Sequence, residues 1–113
     1  MATMSGFDHR KFKRVPFKRP VKSKMINVEI YAGNLAYDIS QGGIRINSSE
    51  FVAKGAHVIL QVQLDMQGRL LELAGEVVWI RELPYSGGFQ LGLQFNEGDS
   101  FEKCKIAQFV EKL

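Results

Sequence analysis

The sequence predicts an all-β fold with one C-terminal helix, in which six strands form an antiparallel barrel. Three observations carry this expectation. Six short runs alternate apolar and polar residues with period two. Turn-forming residues separate them, and the one stretch with helical spacing comes at the C-terminus.

Taken in order, the first run is 26–31, where Ile26, Val28 and Ile30 share one face, as in a half-buried strand. Gly33 and Asn34 punctuate it. In the second run Leu35, Tyr37 and Ile39 oppose Ala36, Asp38 and Ser40, so Asp38 and Ser40 point the same way. A turn at Gln41–Gly43 leads to a short strand with Ile44 and Ile46, and a polar loop follows as far as Gly55. Val58, Leu60, Val62 and Leu64 make the fourth run, and after a turn at 65–68 the chain returns through Leu71, Leu73, Val77 and Trp79. Gly75 within this return strand predicts a bulge, a device that lets a sheet curl. Phe89, Leu91, Leu93 and Phe95 form the last strand. Asp99 is the expected cap of a helix whose inner face would hold Phe101, Cys104, Ala107, Val110 and Leu113.

With 113 residues, the chain has room for one modest core. Charge is unevenly spread. Residues 1–24 hold eight of the 15 Lys and Arg against the single acid Asp8, a net of +7, and the other 89 residues carry −4. The chain therefore divides into a flexible basic arm, 1–24, and a barrel with its helix, 25–113. A cationic arm attracts anions over roughly a Debye length of ~10 Å, so an anionic partner is expected. The longest apolar runs fall short of the ~20 residues that span a bilayer, and the N-terminus is basic and polar. A cytoplasmic location without membrane insertion follows. The single cysteine, Cys104, has no internal partner and reads as a small buried residue.

No enzyme constellation is visible. His9 and His57 have no recognisable pairing with Cys104 or with a carboxylate, and no glycine-rich loop opens a helix before a Lys-Ser or Lys-Thr pair. Two patterns instead carry binding chemistry. Arg10 and Arg14 stand four residues apart in Arg-Lys-Phe-Lys-Arg, presenting two guanidinium forks that can each donate paired hydrogen bonds to a phosphate or to guanine O6 and N7. Asp38-Ile39-Ser40-Gln41-Gly42-Gly43 places a carboxylate that can accept from guanine N1–H and N2–H, a hydroxyl on the same face, and a glycine that admits close approach. The same residue types are what any turn prefers. Each pattern is modest alone, and the two together are more specific.

In combination these residues resemble the two signature motifs of PilZ domains, bacterial receptors for cyclic di-GMP. The likeness spans about Asp8 to Leu113 and includes Gly75-Glu76-Val77-Val78-Trp79 and Leu91-Gly92-Leu93-Gln94-Phe95. The resemblance implies a six-stranded antiparallel barrel with a C-terminal helix, binding its ligand on the outer surface beneath the N-terminal arm. Arg10 and Arg14 would grip phosphates and guanine edges, Asp38 and Ser40 would hold a guanine, and Gly43 would keep the turn clear. Trp79 is a further candidate, with a core position and a place beside the nucleotide both open. Lys11 and Lys13 stand where relatives often carry another arginine. The resemblance implies cyclic di-GMP as ligand with no cofactor or metal, and a separate downstream protein serving motility, biofilm, pili or virulence. Two alternatives use the same fold class. One is a PilZ-fold protein adaptor without ligand. The other is a single-stranded nucleic-acid-binding barrel, disfavoured because Tyr37, Phe89 and Phe95 share parity with aliphatic residues and read as buried.

Overall fold

Strand formation begins earlier than the alternation predicts. The computed structural model describes residues 13–64, 68, 70–96 and 100–112. In it β1 (Arg14–Pro16) and β2 (Pro20–Met25) lie within the stretch expected to be an arm, so the sheet starts well before residue 25. Both run along one side of β3 (Ala32–Ser40): Arg14, Val15 and Pro16 pair with Ser40, Ile39 and Asp38, and Pro20 to Ser23 pair with Leu35 to Ala32. Between them, Phe17 N–H donates to the Tyr37 carbonyl at 3.0 Å and Ala36 N–H donates to the Arg19 carbonyl at 2.8 Å. β1 and β2 thus act as one interrupted strand.

The other strands are β4 (Gly43–Ser48), β5 (His57–Gln63), β6 (Leu70–Leu83) and β7 (Gly88–Phe95), followed by α1 (Ser100–Glu111). β3 pairs with β4, β4 with β7, β7 with β6, β6 with β5, and β5 with β2, every pair antiparallel. With β1 and β2 counted as one strand, the ring is a closed six-stranded barrel. The barrel and C-terminal helix are those expected from the sequence.

The first strand is not where the alternation put it. Residues 26–31 form a turn and loop, with Ile26, Val28 and Ile30 exposed, and the paired segment is Pro20–Met25. Of β2, only Val21 is fully buried. Its place in the ring comes from main-chain pairing to β3 on one side and β5 on the other, which a sparse apolar pattern does not announce.

Two register shifts decide which residues face out. One lies between Ala36 and Asp38 on β3, the other between Val77 and Trp79 on β6. Each adds a residue against its partner strand and reverses the parity beyond it. Ala36 and Ile39 both reach the core, while Tyr37, expected inside with Ile39, is 42% exposed. Likewise Val77 is buried and Trp79, two residues on, stands on the outer surface. The bend in β6 therefore lies beyond Gly75, whose missing Cβ instead leaves room for the Gln94 carbonyl.

The barrel is filled by inward aliphatic residues of every strand, among them Ile39, Ile44, Ile46, Leu60, Leu73 and Val77. α1 covers one end. Ile106 and Val110 are its buried residues, and the Phe109 ring meets Phe17 edge-on at 5.6 Å. The Arg19 guanidinium stacks near both rings and donates to the Leu64 carbonyl. Phe101 and Cys104, expected on the inner face, are exposed, because the face that packs is set by Ile106, Phe109 and Val110. Asp99 and Leu113 lie outside the described residues. No helix among the described residues is long and apolar enough to cross a membrane.

Candidate ligand groove on the outer barrel face

β3 and β4 are joined by a two-residue turn, Gln41–Gly42, which pairs Ser40 with Gly43, Ile39 with Ile44 and Asp38 with Arg45. Ile39 and Ile44 go to the core, so Asp38 and Arg45 must both face out. β1 then brings Arg14 opposite Ser40 on the other side of β3. Asp38 is consequently flanked by two guanidiniums. Its Oδ1 accepts from Arg14 Nη1 at 2.7 Å, and its Oδ2 accepts from Arg45 Nε at 2.9 Å and from Arg45 Nη2. The three side chains are largely buried, with 24%, 9% and 33% of Arg14, Asp38 and Arg45 exposed.

Burial pushes the Asp38 carboxyl up, but hydrogen bonds from Arg45 and Arg14 and the charges of both outweigh it and hold the group below its ordinary value. The same hydrogen bond from the other side raises Arg45 above the usual arginine value. Asp38 is thus an anion at neutral pH. The Arg45 guanidinium also lies 4.7 Å from the centre of the Tyr37 ring.

Next to this cluster lies an open groove of about 460 Å³, lined by Arg14, Ser40, Gly43, Arg45, Trp79 and Gly92, among others. Trp79 pairs with Gly92 across β6 and β7, and a Cβ on Gly92 would overlap the indole. The ring therefore lies against the bare backbone of β7, forming one wall. Trp79 is thus outside the core, on the wall of the groove.

Ser40 and Gly43 have structural duties as well. Ser40 is buried, and its Oγ accepts from Gly42 N–H at 3.2 Å, closing the turn. A Cβ on Gly43 would overlap the Leu93 carbonyl oxygen, so it is the close approach of β7 that requires glycine there. Of the residues singled out in the sequence, Arg14, Asp38, Ser40, Gly43 and Trp79 converge on this one region. Arg10 lies outside the described residues. Arg45 was not among them, although a two-residue turn at 41–42 would have placed it opposite Asp38.

A family model for the PilZ domain matches residues 8–112. The chain belongs to the PilZ domain family. No curated protein matches it. Solved structures do. The Bacillus subtilis inhibitor of motility MotI/DgrA superposes with a TM-score of 0.77 at 21% identity, over 94% of this chain and 51% of that one. This PilZ chain therefore spans about half the length of MotI. The PilZ domain of Escherichia coli YcgR, solved with c-di-GMP, gives 0.73 at 13% identity, over 93% of this chain and 91% of that one. The MrkH–c-di-GMP complex of K. pneumonia gives 0.71 at 15% identity, over 92% and 52%. At such identities these likenesses show a shared fold.

Proposed function

We infer that this PilZ domain is a receptor for cyclic di-GMP, held in the outer groove and not chemically altered there. The observation that carries the reading is the convergence of Arg14, Asp38, Ser40 and Trp79, from β1, β3 and β6, around one groove of a PilZ barrel. Their chemistry suits a guanine dinucleotide. Asp38, an anion at neutral pH, can accept from guanine N1–H and N2–H, and arginine forks can donate to phosphate or to the base edge. The Trp79 indole offers a flat apolar face for a base. Arg10, four residues before Arg14, supplies the second guanidinium in this reading, and Gly43 keeps the groove floor low. Solved PilZ relatives bound to c-di-GMP, YcgR and MrkH among them, support the choice of ligand.

On this reading the chain acts in the bacterial cytoplasm without catalysis. Ligand neutralises the positive charge of the basic N-terminal stretch, creating a surface that a downstream protein reads. Outputs in motility, biofilm, pili or virulence belong to that partner.

Isothermal titration of the purified chain with cyclic di-GMP tests the reading, with cyclic di-AMP, GTP and a short single-stranded RNA as controls. Saturable binding of cyclic di-GMP alone is expected. The RNA control carries weight because Tyr37 and Trp79 stand outward beside arginines, the arrangement a nucleic-acid-binding barrel would use. Heat from RNA alone would replace the receptor reading with that one, and no heat from any ligand would favour a protein adaptor.

A further inference from the structure

The two arginines on Asp38 are held differently. Arg45 is engaged through both Nε and Nη2 on one carboxylate oxygen, and its guanidinium also stacks on Tyr37. It lies on β4, directly opposite Asp38 in the strand register. Arg14 makes one hydrogen bond to Asp38, and its Nε is buried without a hydrogen-bond partner among the described residues. A buried N–H with no acceptor is a costly arrangement. Arg14 also begins β1, a three-residue strand whose pairing is to β3. Of the two guanidiniums, Arg14 is therefore the one with something to gain by moving, since an incoming phosphate or guanine edge could take its Nε and Nη groups together.

Such a move has a consequence for Asp38. The carboxylate is nearly enclosed, and burial works against its charge. If both arginines left it, the group would tend to take up a proton and would lose the fixed orientation a guanine edge needs. Arg45 prevents both.

We propose that Arg45 is the permanent partner of Asp38, a positioning residue that keeps the carboxylate aimed and ionised while Arg14 exchanges its hydrogen bond to Asp38 for the ligand. The proposal rests on the cyclic di-GMP reading for its ligand and on the unequal contacts of Arg14 and Arg45 with Asp38 for the division of labour. Among the described residues, the charged and titratable groups around Asp38 include Arg14 from β1, Arg45 from β4 and Tyr37 beside it on β3, with Lys18 Nζ 5.6 Å from the Tyr37 ring centre.

Two measurements on the full chain test it. The first needs no ligand. The Asp38 carboxyl is titrated by NMR in Arg14→Ala, which imitates the departure of Arg14, and in the double variant Arg14→Ala with Arg45→Gln. The carboxyl should titrate below its ordinary value in the first and above it in the second. Equal values would overturn the proposal. The second is titration with cyclic di-GMP at pH 7.5 and 5.5. Wild type should bind alike at both, whereas Arg45→Gln should bind about tenfold more weakly at pH 7.5; because its Asp38 loses the last cation only when Arg14 leaves for the ligand, binding by this variant should be linked to proton uptake, and its deficit should not widen at pH 5.5. Arg45→Lys, which restores the charge without the fork, should bind without proton uptake and recover part of the affinity. Binding by Arg45→Gln that matches wild type at both pH values would overturn the proposal and leave the ligand assignment standing. A wild type that binds no cyclic di-GMP would overturn the ligand assignment and, with it, the exchange assigned to Arg14. A collapse of affinity shared equally by Arg45→Gln and Arg45→Lys at both pH values would mark Arg45 as structural only, and would equally overturn it.

Discussion

Arg14 Nη1 meets Asp38 Oδ1 at 2.7 Å across 24 residues of sequence, so an ion pair joins the arginine and carboxylate motifs directly. Arginine at position 14 is thus also part of the barrel. Replacing it with Ala should abolish or greatly weaken cyclic di-GMP binding and should lower stability by about 1 kcal/mol, a fall in Tm of about 4 °C. A calorimetric scan beside the ligand titration separates the two effects. An arm that only draped over the barrel would leave Tm unchanged.

Asp38→Ala leaves Arg14 and Arg45 facing each other with their counter-ion gone. Stability at pH 7 should fall by about 1–2 kcal/mol. Because the folded carboxyl lies below its unfolded value of about 3.9, the stabilisation is complete above about pH 4 and is lost as the pH falls through the lower, folded value. Urea unfolding of wild type and variant should therefore give a constant difference from pH 5 to 8, shrinking only below about pH 4.

Gly43→Ala should be the most damaging of the single-methyl changes at this site. The added carbon would run into the Leu93 backbone, which has no side-chain rotation with which to retreat. A loss of about 2–3 kcal/mol is expected from forcing β4 away from β7. If denaturant midpoints of variant and wild type coincide and only ligand affinity changes, Gly43 serves the ligand and not the sheet.

Trp79 is the sole tryptophan and lies on the groove wall. Its fluorescence should change on addition of cyclic di-GMP and titrate with the calorimetric affinity. Trp79→Ala should weaken binding about tenfold, as expected for loss of one base-stacking surface, and should cost little stability because the ring lies outside the core. An unchanged emission spectrum at saturating ligand would place the nucleotide elsewhere on the barrel.

Much of this molecule was legible from residue order alone. The alternation of Val58 to Leu64 and of Phe89 to Phe95 is that of real strands, because one face of each lies on the core and the other does not. A turn after Ser40, read as Gln41–Gly43 and one residue shorter in the structure, and the pairing of short polar motifs with an arginine spacing pointed to the outer face that carries the candidate groove. What misled was local pattern without its partner. Ile26, Val28 and Ile30 alternate like a strand yet sit in a loop, while Pro20–Met25, with two lysines and one buried valine, closes the ring. Helix burial at Ile106 in place of Phe101 and Cys104 has the same origin, since the face that packs depends on Phe17 waiting at the barrel end, while Val110 is buried as expected.

The sequence by itself determined the all-β class, the C-terminal helix, the family and, Arg45 excepted, the polar residues of the candidate groove, since these follow from periodicity, turn chemistry and motif spacing within short stretches. Tertiary structure decided which way those residues face. A single extra residue at the Ala36–Asp38 and Val77–Trp79 bulges inverts inside and outside for all that follows, and the extra residue is visible only against the neighbouring strand. The β6–β7 pairing turned Trp79 outward and the β3–β4 pairing placed Arg45 opposite Asp38, because strand register is a relation between segments and no one segment contains it.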